Sequence, residues 1–303
     1  MLVATRRGFL KAAAAGLAAP YAFAQSPKIT ASPLGENLYL LTGAGANVVA
    51  FTGTDGVVLV DGGLAPNADA LAQSVAALPN GSGKIHTLFN THWHPEQTGS
   101  NARLGMAGAT IIAQENTRLW LQQNITWPWN GQKFKKFPKI AQPNKTFYDK
   151  GALDSGIRYG YISDAAHTDG DLYVLFPQQN LLAVGDAAYG QGWPVVDWWT
   201  GGWIGGIVGG LQRIQSVAST IGSKDTKIVP AQGPVLTAAD IAAQLDMYGT
   251  IYDRLNQMMN KGRGPSEGVE AKPAKEFEAK MGNSDEFIRR SFESLWAYLS
   301  PDA

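Results

Sequence analysis

Three of the chain's four histidines, His92, His94 and His167, stand in segments able to hold a metal. In Thr91-His92-Trp93-His94-Pro95-Glu96-Gln97 two imidazoles are spaced i and i+2. On an extended backbone that spacing turns both to one side. Neutral imidazoles suit zinc, and zinc sites that keep a position open for water usually have three protein ligands. His167, in Ala166-His167-Thr168-Asp169-Gly170-Asp171, is the third. Zinc held by three neutral ligands keeps its charge uncompensated, so it acidifies water toward neutrality and polarises a carbonyl. The chemistry to expect is hydrolysis of an ester, lactone, thioester or lactam. The bland alternative is a satisfied polar cluster, and the joint spacing argues against it. The fourth histidine, His86, has no motif around it and reads as structural or surface.

The elements that must position these groups follow from pattern. Ile85 to Phe89 is a largely apolar run that reads as the buried strand delivering His92 and His94. Leu38 to Thr42, Asn47 to Thr52 and Val57 to Asp61 read as strands joined by Gly-rich turns. Asn67 to Leu78 reads as a helix with Asn67 as N-cap. Short helices over Asn101 to Met106 and Glu115 to Gln122 flank a strand from Ala109 to Ala113. A second strand set lies between Ile157 and Val184. Ile204 to Val217, Ala238 to Lys261 and Asp285 to Leu299 have helical periodicity, with Gly262 to Glu270 as a linker. This alternation predicts an α/β fold of two sheets with outer helices.

Two stretches stand apart. Between Asn124 and Asn144, Trp127-Pro128-Trp129 and Lys133-Phe134-Lys135-Lys136-Phe137 form either a functional segment beside the metal or a basic, solvated loop. Gly190 to Gly210 carries Trp193, Asp197-Trp198-Trp199 and Trp203. Trp203 is assigned to the core, and one of Trp193, Trp198 or Trp199 to an apolar pocket wall. The implied partner is a small molecule with an apolar or aromatic group.

The motif resembles the metallo-β-lactamase superfamily, whose hallmark is H-x-H-x-D-H after a strand. Asp186, in Leu182-Ala183-Val184-Gly185-Asp186, resembles the family's Gly-Asp, whose carboxylate bridges two metals. Ile228-Val229-Pro230-Ala231-Gln232-Gly233-Pro234 resembles its last metal segment, normally Pro-Gly-His-Gly-Pro. Val57 to Gly63 resembles an opening strand, with Asp61 at a structural position. The resemblance implies an αββα sandwich, a metal set of His92, His94, His167 and Asp186, and a flap formed by the 124–144 insertion. The chain departs from the pattern at Glu96, Gln97 and Gln232, which replace an Asp and two His. Amides bind zinc poorly, so one zinc is expected, while an oxygen-rich second site would suit a harder ion. Glu96 is a candidate general base, a ligand of a second ion or a partner of a ligating histidine. Asp186 is a ligand or a hydrogen-bond partner of the attacking water. Gln97 and Gln232 would orient a water or a substrate carbonyl. Asp169 and Asp171 read as loop formers. The main alternatives are a non-catalytic metal- and ligand-binding protein and a dinuclear hydrolase.

The N-terminus reads as a targeting signal over residues 1–24, with the metallo-β-lactamase-like domain over 25–303. Arg6-Arg7 is of the kind that marks Tat export, an apolar run follows, and Ala22-Phe23-Ala24 predicts cleavage before Gln25. The expected location is periplasmic or secreted, with no stable membrane anchor after cleavage. The chain has 25 basic and 25 acidic residues. The leader holds three basic and no acidic ones, so the mature chain is mildly acidic. That balance gives no reason to expect nucleic acid as a partner. There is no cysteine, so stability rests on the core rather than on disulfides.

Overall fold

In the computed structural model, residues 28–81, 84–162, 165–221 and 225–299 are described. The proposed leader and its cleavage site lie outside them. The strands of the first sheet are β1 (Thr30–Gly35), β2 (Leu38–Thr42), β3 (Val48–Gly53), β4 (Gly56–Val60), β5 (Ile85–Phe89), β6 (Thr110–Gln114) and β9 (Lys145–Phe147), side by side in that order. Between β6 and β9 the chain makes a separate hairpin, β7 (Ile125–Thr126) and β8 (Lys133–Phe134). The second sheet runs β10 (Lys150–Ala152), β11 (Arg158–Tyr161), β12 (Leu172–Phe176), β13 (Leu181–Gly185) and β14 (Lys227–Pro230).

The two sheets face each other. Val58, Val60, Phe89 and Ile112 of the first meet Leu172, Val174, Phe176 and Val229 of the second. β12 is buried along its whole length because its other face, Tyr173 and Leu175, packs on helices. A strand covered on both sides loses its alternation and reads as a continuous apolar run. The outer face of the first sheet is covered by α1 (Ala68–Ala76) and α3 (Asn101–Met106), through Leu71, Val75 and Leu104. The outer face of the second is covered by α5 (Ile204–Ser219), α6 (Ala238–Asn260) and α9 (Asp285–Leu299). The fold is therefore an α/β sandwich with helices outside both sheets, as expected.

Two local expectations were corrected, and one strand was not anticipated. Asn67 stands at the N-terminus of α1, but its amide donates to the Ala44 carbonyl rather than capping the helix. The segment read as a linker contains a helix, α7 (Pro265–Glu270). Pro265 occupies its first turn, and the Glu267 carboxylate accepts the Gly264 N–H, a start signal that is present in the sequence. The polar edge strand β1 has no apolar alternation to betray it; four of its six residues in succession are exposed. The helices α2 (Pro95–Thr98), α4 (Glu115–Leu121) and α8 (Glu278–Met281) are short, and among the described residues no helix is long and apolar enough to cross a membrane.

Candidate metal centre

β5 ends at Phe89, so His92 and His94 stand on the bend that follows it and not on extended strand. They still converge, with ring centroids 4.6 Å apart. The bend is held from beneath. Thr91 donates its N–H to Asp61 Oδ1 at 2.8 Å and its hydroxyl to Oδ2 at 2.9 Å. Asn90 donates to the Gln97 carbonyl and exchanges amide hydrogen bonds with Asn101. Asp61 thus has the structural place expected of it. Burial pushes its carboxyl up to about 8, against the lowering effect of the Thr91 bonds.

His167 comes from the loop before β12. Asp171 holds that loop by accepting the N–H groups of His167 and Thr168 and the Thr168 hydroxyl. Asp169 accepts the Trp120 indole N–H at 2.7 Å. Both are loop formers, as their spacing suggested. Asp186 follows Gly185 at the end of β13. Gly185 has φ of 58°, and a Cβ there would stand 2.4 Å from Thr91 Oγ1. The close approach of these two loops requires a glycine.

One ligand atom from each of His92, His94, His167 and Asp186 lies within 4.8 Å of the others, and all four residues are buried. His94 Nδ1 is 3.1 Å from His167 Nε2. Asp186 Oδ2 is 3.4 Å from His92 Nε2 and 3.9 Å from His167 Nε2. Ligands about 2.0 Å from a tetrahedral ion stand roughly 3.3 Å from one another. The four groups therefore fit one small cation, and their chemistry agrees: His92 Nε2 and Asp186 Oδ1 are buried without a hydrogen-bond partner. Burial, and then the neighbouring His94, hold His92 and His167 well below the ordinary imidazole range, which keeps both in the neutral, ligating form. Burial, followed by the charges of Asp61, Asp171 and Glu96, holds the Asp186 carboxyl well above its usual range. A cation among these groups would relieve that repulsion.

Glu96 is half-buried on α2 and is not one of the converging four, although its charge acts on Asp186 and on Tyr189. Gln97, one turn after His94, is fully buried, and neither its amide nitrogen nor its oxygen has a partner. Gln232 instead donates its amide to the Gly45 carbonyl at 3.2 Å. Of the three tryptophans of which one is assigned to the pocket wall, Trp193 is turned elsewhere. Its ring stacks on Phe287 at 4.7 Å and its N–H bonds the Gly282 carbonyl, because the chain after Asp186 turns back onto the helical layer first. Trp198 faces Trp129 at 5.8 Å, and Trp199 is 48% exposed. Trp203 packs at the margin of the helical core, stacked on Tyr298.

Three groups that sequence reasoning passed over matter here. The buried Asp197 accepts from His94 Nε2 at 2.9 Å, fixing the proton on that nitrogen and leaving Nδ1 for the cluster. In the sequence Asp197-x-x-Thr200 signals only the turn that the Thr200 bonds do form. Tyr189 is half-buried three residues after Asp186, with its ring 6.4 Å from that of His167, and desolvation, then the Asp186 charge, holds its hydroxyl well above its usual range. Trp93, inside the histidine motif itself, packs edge-on against His94 at 4.5 Å.

Residues 41–233 match the model of the metallo-beta-lactamase superfamily, and the chain belongs to that family. No curated protein matches it. The fold is similar to the DIM-1 metallo-beta-lactamase, with a TM-score of 0.58 at 17% identity, over 74% of this chain and 98% of that one. It is similar also to a metallo-beta-lactamase from Pontibacter korlensis, with TM-score 0.57 and 17% identity over 73% and 99% of the two chains. FIM-1 from Pseudomonas aeruginosa, in its mono-zinc form, aligns with TM-score 0.57 at 14% identity over 73% of this chain and 95% of that one. At these identities the likeness concerns the fold alone.

Proposed function

We propose that the protein is a hydrolase that holds one zinc ion on His92, His94 and His167, with Asp186 as a further ligand or as the hydrogen-bond partner of the attacking water, and attacks the carbonyl of an ester, lactone, thioester or lactam. The observation that carries this reading is the convergence of four buried ligand atoms within 4.8 Å in a family of metal-dependent hydrolases. When bound, zinc would supply Lewis acidity and lower the pKa of a bound water toward neutrality. The chain supplies the rest. Glu96, half-buried beside Asp186, accepts a proton from the attacking water. Tyr189, half-buried three residues after Asp186, is a hydroxyl donor for that carboxylate. Gln97 has a donor and an acceptor to spare in the interior. A buried amide left unpaired costs about 1–3 kcal/mol, so a water or a substrate carbonyl hydrogen-bonded there is favoured. The aromatic residues Trp129, Trp198 and Trp199 suit a substrate with an apolar or aromatic group.

The test is metal content per chain of protein purified without added metal, beside His167→Ala, followed by a panel of the four carbonyl classes. About one zinc, lost in the variant, with turnover of at least one class, supports the proposal. Two metals would assign Glu96 and the glutamines to a second site. One metal with no turnover would leave a binding protein on this fold. Export through the Arg6-Arg7 leader, with the mature protein beginning at Gln25, belongs to the same proposal and is checked by the mass of the protein from the periplasm.

A further inference from the structure

The hairpin of β7 and β8 is bonded directly to a partner of the metal cluster. Trp127, just after β7, donates its indole N–H to Asp197 Oδ2 at 3.2 Å. The same oxygen accepts from His94 Nε2 at 2.9 Å and from the Thr200 hydroxyl at 2.7 Å. Trp127 also stands edge-on to the His94 ring at 5.3 Å, beside Trp93, whose ring is 4.5 Å from His94 and 6.0 Å from Trp127. The orientation of His94 is thus set by two indole walls and one carboxylate, and the hairpin contributes one wall and one of the three donors to that oxygen. The hairpin itself is lightly held. Its ladder is two residue pairs long, and its hold on the domain is a small aromatic cluster in which Phe134 meets Trp93 at 5.1 Å. A two-stranded ribbon of this length is not stable alone.

We propose that Trp127 is a positioning residue for the metal centre: by sharing Asp197 with His94, it couples capture of the metal to closure of the hairpin. The ordering runs both ways. A closed hairpin fixes Asp197 and the His94 ring, so Nδ1 is presented without further loss of rotamer freedom. A bound metal fixes His94 and Asp197, so the indole finds its acceptor in place. Coupling of this kind is reciprocal, and the factor by which the hairpin tightens metal binding equals the factor by which metal tightens the hairpin.

This inference rests on the metal reading above, and its test separates the two. The hairpin carries its own reporter, since Lys133, Lys135 and Lys136 are exposed trypsin sites. The full chain is digested with trypsin with and without zinc, and zinc affinity is measured by competition with a chromophoric chelator. Trp127→Phe keeps an aromatic wall and removes the N–H. The expected results are slower cleavage at residues 133–136 in the presence of zinc and, for Trp127→Phe, zinc binding weaker by about tenfold. Zinc should protect the variant's hairpin correspondingly less. Zinc affinity within twofold of the wild type in a folded Trp127→Phe overturns the proposal. So does zinc binding to the wild type with unchanged cleavage, an outcome that stands even if the variant does not fold. A wild type that binds no zinc overturns the hydrolase reading along with it.

Discussion

His94 has a partner on each ring nitrogen: His167 across Nδ1 and Asp197 on Nε2. A ligating imidazole owes its tautomer and part of its basicity to the group on its far nitrogen, and loss of such a group costs about 10–100-fold in metal affinity. Asp197→Asn should therefore weaken zinc binding on that scale while the metal-free protein keeps its far-UV spectrum; an unchanged affinity would remove Asp197 from the centre. Gln97 poses the complementary question. The family resemblance places a histidine at this position and at Gln232, and the present amides leave the carboxylates of Asp186 and Glu96 as the remaining strong ligands there. Gln97→His with Gln232→His should raise the metal content from about one to about two per chain, because imidazole replaces a poor zinc ligand twice. Elemental mass spectrometry reads the result directly. A count that stays at one would mean that the Gln232 position, whose side chain reaches the Gly45 carbonyl, does not face the second site. At this scale the histidines were legible because ligand chemistry demands few residue types at fixed spacing. Asp197 and Tyr189 were not, because an aspartate before a turn and a tyrosine in a loop have many ordinary uses. Only the folded chain brings them beside a histidine and a carboxylate that lie far away in sequence or across a turn.

At the scale of elements, pattern identified those that bury a regular face. β5 is delimited by its apolar run and α9 by its periodicity, and both were read with their observed bounds. The elements that escaped are those whose partners are remote. α7 is six residues long and is kept helical by packing on α9, where Gly268 lets the Phe292 ring come within 2.7 Å of the place a Cβ would take. The 125–134 hairpin is aromatic and basic, a composition that fits a solvated loop until its packing on Trp93 is seen. Two substitutions separate local from site-directed constraints. Thr237 caps α6 by accepting the Asp240 N–H, while the Asp240 carboxylate accepts the Thr237 N–H. Thr237→Ala should cost about 1 kcal/mol in a urea melt and leave zinc affinity alone. Gly202 is different: a Cβ there would lie 2.0 Å from the His167 carbonyl oxygen. Gly202→Ala must displace the loop that carries a ligand, so it should lower both stability and zinc affinity. Equal zinc affinity in the two variants would show that the His167 loop moves without consequence for the centre.

The whole molecule gathers an unusual number of carboxyls around one pole. Asp61, Asp171 and Asp186 are all buried there, and Asp61 and Asp171 both raise Asp186 through their charge. Burial pushes Asp61 up to about 8 and Asp171 up to about 7, from 3.8. In the metal-free protein the native state therefore holds protons that the unfolded chain has released. That contribution to stability is complete below pH 3.8 and is lost as the pH rises through the folded values. Between pH 6.5 and 8.5 the loss should be about 2–3 kcal/mol, most of it from Asp61. A bound metal reverses the sign. It requires Asp186 ionised and the histidines neutral, its charge favours the ionised form of the surrounding carboxyls, and its binding releases protons, so the metal-loaded protein gains stability as the pH rises. Urea unfolding at pH 6.5, 7.5 and 8.5, with zinc and with chelator, should give slopes of opposite sign. A metal-free protein equally stable at all three pH values would mean that Asp61 and Asp171 are ionised in the fold. The cluster would then be held by hydrogen bonds from Thr91 and Thr168 alone, and the electrostatic case for a cation would fall back on Asp186.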